Sequence, residues 1–224
     1  MAVQLDIDPS YGEQDADTLM FLRHFDEPER SDILELGAHE EDAASILHDN
    51  GHVVTGYDLR PRPGAKYFHF ARDFVKDYEQ IRGHEEHIIL YDCAFSTSAI
   101  EHFGLDCYGG PVDSSYDYKA MEGVYNLLKP GGKCYLTVPY GKSFAVEPNW
   151  RVYDHDALQK RIIQRFEVLT RIYFKSGDTM GVHVPDERVW DGIPIVSEQD
   201  ANRYDNPRFP HLSIFLKMRK PGDK

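Results

Sequence analysis

The chain has 224 residues, 41% of them hydrophobic and 12% aromatic, enough for one full-sized core and too apolar for disorder. Its formal net charge of -13, with no Lys/Arg stripe to offset it, repels phosphate backbones and anionic membrane surfaces, so nucleic acid and membrane are not expected partners. No apolar run approaches the roughly 18 residues of a membrane span, the N-terminus has no secretory pattern, and three widely spaced cysteines (Cys93, Cys107, Cys134) read as reduced thiols, so a cytoplasmic location is expected.

In chain order, residues 14–26 place Leu19, Met20, Leu22 and Phe25 near helical spacing. Residues 32–37 predict a short strand ending at glycine. Residues 42–50 predict a helix stopped by Asn50-Gly51, and residues 53–58 a second strand rich in β-branched residues. A third strand is predicted at 66–70, a helix at 73–82, a fourth strand at 87–96 and a helical turn from Ser98 to Phe103. Helix 117–128 is closed by Lys129-Pro130-Gly131-Gly132 before a fifth strand at 133–139. Helix 154–164 and strands 166–174 and 211–218 complete the pattern. Residues 176–210, polar and turn-rich, read as a flap or an extended hairpin. The alternation of strands and helices predicts a mostly parallel α/β sheet covered on both faces, with an antiparallel pair at one edge. A single domain over residues 1–224 is expected, with 1–30 as a helical extension and 103–116 and 176–210 as active-site loops. Ligands of such sheets bind outside the carboxyl ends of the strands.

The first strand runs into Glu35-Leu36-Gly37-Ala38-His39-Glu40-Glu41-Asp42. A pyrophosphate site wants GxGxxG there. His39 and Asp42 replace the later glycines, and three acids crowd the place of the phosphates, so NAD and FAD are disfavoured. A cationic ligand would find those acids congenial; they also fit simple helix capping. Asp58 ends the second strand 21 positions after Gly37, where a carboxylate can accept from both hydroxyls of an adenosine ribose. Asp73, after the third strand, can reach an adenine amino group.

The segments DILELG, HDNGHVVTGYDLRP, STSAIEHFGLDCYGGPVD, LLKPGGKCYLTVPYG and RVYD, in this order from about Asp32 to Leu169, resemble the class I S-adenosylmethionine-dependent methyltransferases. Within that family they resemble a subgroup that accompanies polysaccharide and glycan biosynthesis. The resemblance implies a Rossmann-like, doubly wound, seven-stranded sheet with a C-terminal antiparallel hairpin, and S-adenosyl-L-methionine as cofactor. It implies Glu35, Gly37, His39, Asp58, Leu59 and Asp73 as cofactor-binding positions. His39 stands where the family usually has a second glycine, so a side chain sits where backbone normally passes the methionine moiety.

Ser96, Thr97 and Ser98 are expected to line the mouth beside the sulfonium methyl, with Ser96 among the cofactor contacts. A hydroxyl acceptor must lose its proton, and histidine titrates near neutral pH. His102 is therefore the expected general base, with Glu101 orienting it; the pair also fits a structural signature of the helix start. Ser98 replaces the first carboxylate of a related metal-binding ExxEH segment, so no metal is expected. Tyr108 and Asp113 in the glycine-rich loop, and Tyr140 and Arg151 after the fifth strand, are expected to meet a polar acceptor; loop packing is an equally good reading of each. The expectation is methyl transfer to a small polar acceptor, a sugar or glycan-precursor hydroxyl. A non-catalytic relative acting as a partner subunit is the alternative, and a homodimer is left open.

Overall fold

Asp15 starts the first helix. Its carboxylate accepts the Thr18 amide at 2.7 Å, and α1 (Ala16–His24) ends on Arg23 and His24, the charge polarity a helix dipole favours. The computed structural model describes residues 5–8, 11, 14–39, 42–84, 88–176, 193–205 and 212–222. After α1 come β1 (Asp32–Leu36), α2 (Ala43–Asp49), β2 (Val53–Asp58), β3 (Phe68–Ala71), α3 (Phe74–Ile81) and β4 (Tyr91–Thr97). Two 3-10 turns, Ile100–His102 and Cys107–Gly109, precede α4 (Tyr116–Leu127), which runs directly into β5 (Leu128–Pro139). Next are the pair β6 (Ala145–Val146) and β7 (Arg151–Val152), then α5 (His155–Ala157), continued by a π-helix over Leu158–Ile163. The last elements are β8 (Glu167–Lys175), β9 (Ile195–Val196), α6 (Glu198–Ala201) and β10 (Leu212–Arg219).

The strands form one eight-stranded sheet in the order β3-β2-β1-β4-β5-β10-β8-β9, with β6 and β7 paired separately. From β3 through β5 every pair is parallel; β10 lies antiparallel between β5 and β8. This is the mostly parallel α/β arrangement that the alternation predicted and the Rossmann-like sheet that the resemblance implied, with three corrections. The first is that Lys129-Pro130-Gly131-Gly132 does not separate helix from strand but lies inside β5. There are eight strands instead of seven, because the two-residue β9 extends the edge beyond β8. The helix expected at 154–164 is a single α-turn passing into a π-helix. The flap expected over 176–210 lies partly outside the described residues.

Both sheet faces are covered. On one, α1 and α2 pack against Ile33, Cys93, Phe95, Tyr135 and Phe215. There Phe21 of α1 stacks on Phe95 with centroids 4.4 Å apart, and burying each such ring contributes about 2–3 kcal/mol. On the other face, α3, α4 and the π-helix cover Leu34, Ala94, Leu136 and Ile214. The sheet centre is therefore apolar on both sides, which is why β4 reads as a near-continuous buried run.

His52, just before β2, is 2% exposed, sits edge-on to Phe25, and neither ring nitrogen has a partner among the described residues. Burial lowers its pKa from the ordinary value of 6.5. The folded state then binds this proton less readily than the unfolded chain, so the stability it contributes is full above the unfolded value and lost as pH falls below it. Urea denaturation between pH 7.5 and 5.5 should show the wild type losing more stability than His52→Leu; parallel losses would contradict this.

Candidate functional site

Gly37 closes β1 with φ of +91°, donating its amide to the Tyr57 carbonyl at 2.8 Å. A Cβ at this position would stand 2.2 Å from the Ala99 Cβ, so the turn after β4 packs this closely on the end of β1 only because residue 37 has no side chain. Ser96 ties the same two strands from below, its hydroxyl donating to the Leu36 carbonyl at 2.8 Å. Between these strand ends, β2 and the 102–111 loop lies an open cleft.

Gly37, Asp58, Leu59, Asp73, His102 and Tyr108, six of the residues expected from the sequence, line this cleft together with Thr97 and Ser98. Asp58 does not present a bare carboxylate. Its Oδ1 accepts the Arg60 amide at 2.8 Å and the Arg60 Nε at 3.1 Å, and its Oδ2 accepts the Arg60 Nη2 at 3.3 Å. Asp73 caps α3 by accepting the Lys76 amide at 3.2 Å and also accepts the Tyr116 hydroxyl at 2.7 Å. Tyr108 is half exposed, with the Arg60 guanidinium 3.8 Å above its ring centroid.

His102 ends its 3-10 turn with Nδ1 hydrogen-bonded to the Asn149 carbonyl. A carbonyl only accepts, so Nδ1 carries the proton and the neutral ring keeps its lone pair on Nε2. Nε2 stands 3.9 Å from Oε1 of Glu101. Glu101 is 1% exposed and lies outside the cleft lining; it accepts the Ser98 hydroxyl at 2.7 Å, and burial raises its pKa.

The remaining expected residues stand elsewhere. Ser96 is buried in the β1–β4 seam, and His39 turns its Nδ1 into the protein without a partner among the described residues. Glu40 and Glu41, expected to repel a pyrophosphate, lie outside the described residues. Asp113 holds Lys119 at 2.7 Å and the Ser115 amide and hydroxyl, which keep its pKa well below the usual carboxylate range. Tyr140 is fully buried and donates to Asn202 at 2.5 Å. Arg151 is 1% exposed and clamps the Glu101 and Phe103 carbonyls at 3.1 and 2.6 Å, so it fixes the turn that presents His102. Arg60, Tyr116 and Asn149 went unread in the sequence. Arg60 had a local signal two positions after Asp58; the Asn149 contact is a backbone carbonyl 47 positions from its histidine and had none. Among the described residues no group of three His, Cys, Asp or Glu side chains converges to hold a metal ion.

Residues 68–188, more than half of the chain, match the family described as Caenorhabditis protein of unknown function, DUF268. The chain belongs to the DUF268 family. That match takes in Asp73, His102 and Tyr108 and leaves Gly37 and Asp58 outside it. No protein of curated function matches this DUF268 chain in sequence. Its fold is that of S-adenosylmethionine-dependent methyltransferases. It is similar to the Burkholderia thailandensis 1,6-didemethyltoxoflavin-N1-methyltransferase, a structure with bound S-adenosylhomocysteine, at TM-score 0.56 and 14% identity over 92% of this chain and 76% of that one. An S-adenosylmethionine-dependent methyltransferase of Methanosarcina mazei gives 0.55 and 14% over 88% and 95%. The [4+2]-cyclase SpnF gives 0.57 and 15% over 99% and 87%. One scaffold thus carries different named reactions, and the reaction must be argued from the site.

Glu35 lies in the core beside the cleft floor, its Oε2 without a partner among the described residues. Burial pushes its pKa up to about 8 against the opposing pull of Arg62. The fold therefore favours the protonated acid, and this contribution, full below the unfolded value near 4.5, is lost as pH rises through 8. Between pH 5 and 8.5 the wild type should lose stability relative to Glu35→Gln; identical pH profiles would show that Glu35 is solvated.

Proposed function

We propose that this DUF268 chain is an S-adenosylmethionine-dependent methyltransferase acting on a small polar acceptor through a hydroxyl, with His102 as general base. The observation that carries the reading is the meeting of Gly37, Asp58, Asp73 and His102 in one cleft at the strand ends. The residues fit the cofactor: Asp58 for the ribose diol, Leu59 for an adenine face, Asp73 for the adenine amino group, and Ser98 and His102 on the reacting side. When bound, S-adenosylmethionine supplies an electrophilic sulfonium methyl whose leaving group departs neutral.

The chain's own contribution begins with geometry. Holding acceptor and methyl at near-attack distance is worth up to about 7–11 kcal/mol. The Nε2 lone pair of His102, kept available by the Asn149 carbonyl, takes the acceptor's hydroxyl proton, a step worth about 10²–10⁴ in rate. A sugar or glycan-precursor hydroxyl is the acceptor we favour, with Tyr108 as the aromatic surface at the cleft mouth. A second reading, a cofactor-free partner subunit, is favoured by one observation: Arg60 already occupies Asp58.

Isothermal titration with S-adenosylhomocysteine separates the two readings, and absence of binding by the wild type would overturn the enzyme. Asp58→Ala removes two charge-assisted hydrogen bonds and should weaken binding about 100-fold or more. His102→Ala should keep the affinity within about threefold while methyl transfer to a panel of nucleotide sugars falls about 10²-fold or more. A parallel fall in cofactor affinity would make His102 structural.

A further inference from the structure

Arg60 touches both sides of the cleft. It grips Asp58 through its amide, Nε and Nη2, and its guanidinium lies flat on Tyr108, 3.8 Å from the ring centroid. Tyr108 itself has φ of +55° and is followed by Gly109 at +78°, a left-handed conformation that a tyrosine keeps only where its surroundings hold it. The Tyr108 ring also stands edge-on to His102, with centroids 5.9 Å apart. Asp58, Arg60, Tyr108 and His102 thus form one continuous series of contacts, from the end of β2 to the candidate base. His69 anchors this arginine's backbone, its Nε2 lying 3.0 Å from the Arg60 carbonyl.

An ionised carboxylate offers about four lone-pair sites. Arg60 uses three at Asp58, two on Oδ1 and one on Oδ2. A ribose diol brings two O–H donors and needs two acceptor sites. The diol and the full set of Arg60 contacts cannot both be accommodated, so at least one guanidinium contact must yield. The backbone amide of Arg60 can stay, because it does not move with the side chain.

We propose that Arg60 is a positioning residue that makes the two halves of the cleft respond to each other. A nucleoside diol at Asp58 takes the place of at least one guanidinium contact, and the resulting shift of the guanidinium loosens its hold on Tyr108 and the 103–116 loop. The nucleoside therefore enters first, and the acceptor side opens for use only afterwards. This rests on the reading of Asp58 as a ribose ligand. Because coupling is reciprocal, loosening the loop must also favour the nucleoside.

The test is amide hydrogen exchange in the 103–116 loop of the full chain, with and without saturating S-adenosylhomocysteine, in wild type, Arg60→Ala and Arg60→Lys. Ligand should accelerate loop exchange in the wild type. Arg60→Ala should exchange fast without ligand and show no further response to it. Arg60→Lys keeps a cation near Asp58 but has no flat fork to cover Tyr108, so its ligand-free loop should match Arg60→Ala. Arg60→Ala should also bind S-adenosylhomocysteine about 3- to 10-fold more tightly, since a competitor for Asp58 is gone. Wild-type loop exchange in the ligand-free variant, or weaker ligand binding by it, would overturn the proposal and make Arg60 a direct ligand. Fast loop exchange in Arg60→Ala, together with no S-adenosylhomocysteine binding by any variant, would overturn the cofactor reading and the diol displacement while leaving the contact between Arg60 and the loop.

Discussion

The close approach of the turn after β4 to the end of β1 governs everything else in this molecule. A Cβ at residue 37 would overlap Ala99, and the Ser96 hydroxyl stitches the same seam to the Leu36 carbonyl. Because β1 lies between β2 and β4, the chain leaves it toward one side and later returns on the other. The connections diverge at that point, and the cleft is the space they leave open. Gly37 forms its floor, the end of β2 supplies Asp58, and the turn after β4 supplies His102.

Charged residues around this seam are divided between holding the site and serving it. Arg151 and Asp117 are buried together, 3.7 Å apart, and Nη1 of Arg151 donates to the carbonyls of Glu101 and Phe103. An arginine removed from water in this way needs several partners to offset its desolvation, and the returns are rigidity and a fixed turn. Asp113 does the same for the loop before α4 through Ser115 and Lys119. What remains in the cleft wall is a smaller set: Asp58, Arg72, Asp73, His102 and the arginine that bridges Asp58 to Tyr108.

The fold was legible because strands buried on both faces leave short apolar runs, and Asn50-Gly51 separates α2 from β2; Lys129-Pro130-Gly131-Gly132 reads as a break but is part of β5. The π-helix after α5 was not legible, since its 3.6-like spacing of Leu158, Ile162 and Ile163 reads as an ordinary helix. The two-residue β9 carries too little pattern to read at all. In the site, Asp58 and His102 could be placed because they follow strand ends at defined distances. Arg151, Tyr140 and Asp113 were expected at the acceptor because a sequence shows a polar side chain near the active end without showing whether a neighbour already satisfies it. Asn149 acts through a backbone carbonyl, which no residue type encodes.

The proposed nucleoside site in the strand-end cleft, with His102 beside it, is best tested by a crystal structure of the chain soaked with S-adenosylhomocysteine. The ribose diol should lie on Asp58, the adenine over Leu59 near Asp73, and the thioether sulfur should face Ser98 and His102. Ligand density anywhere else, or a cleft that stays closed by Arg60 at saturating ligand, would contradict it.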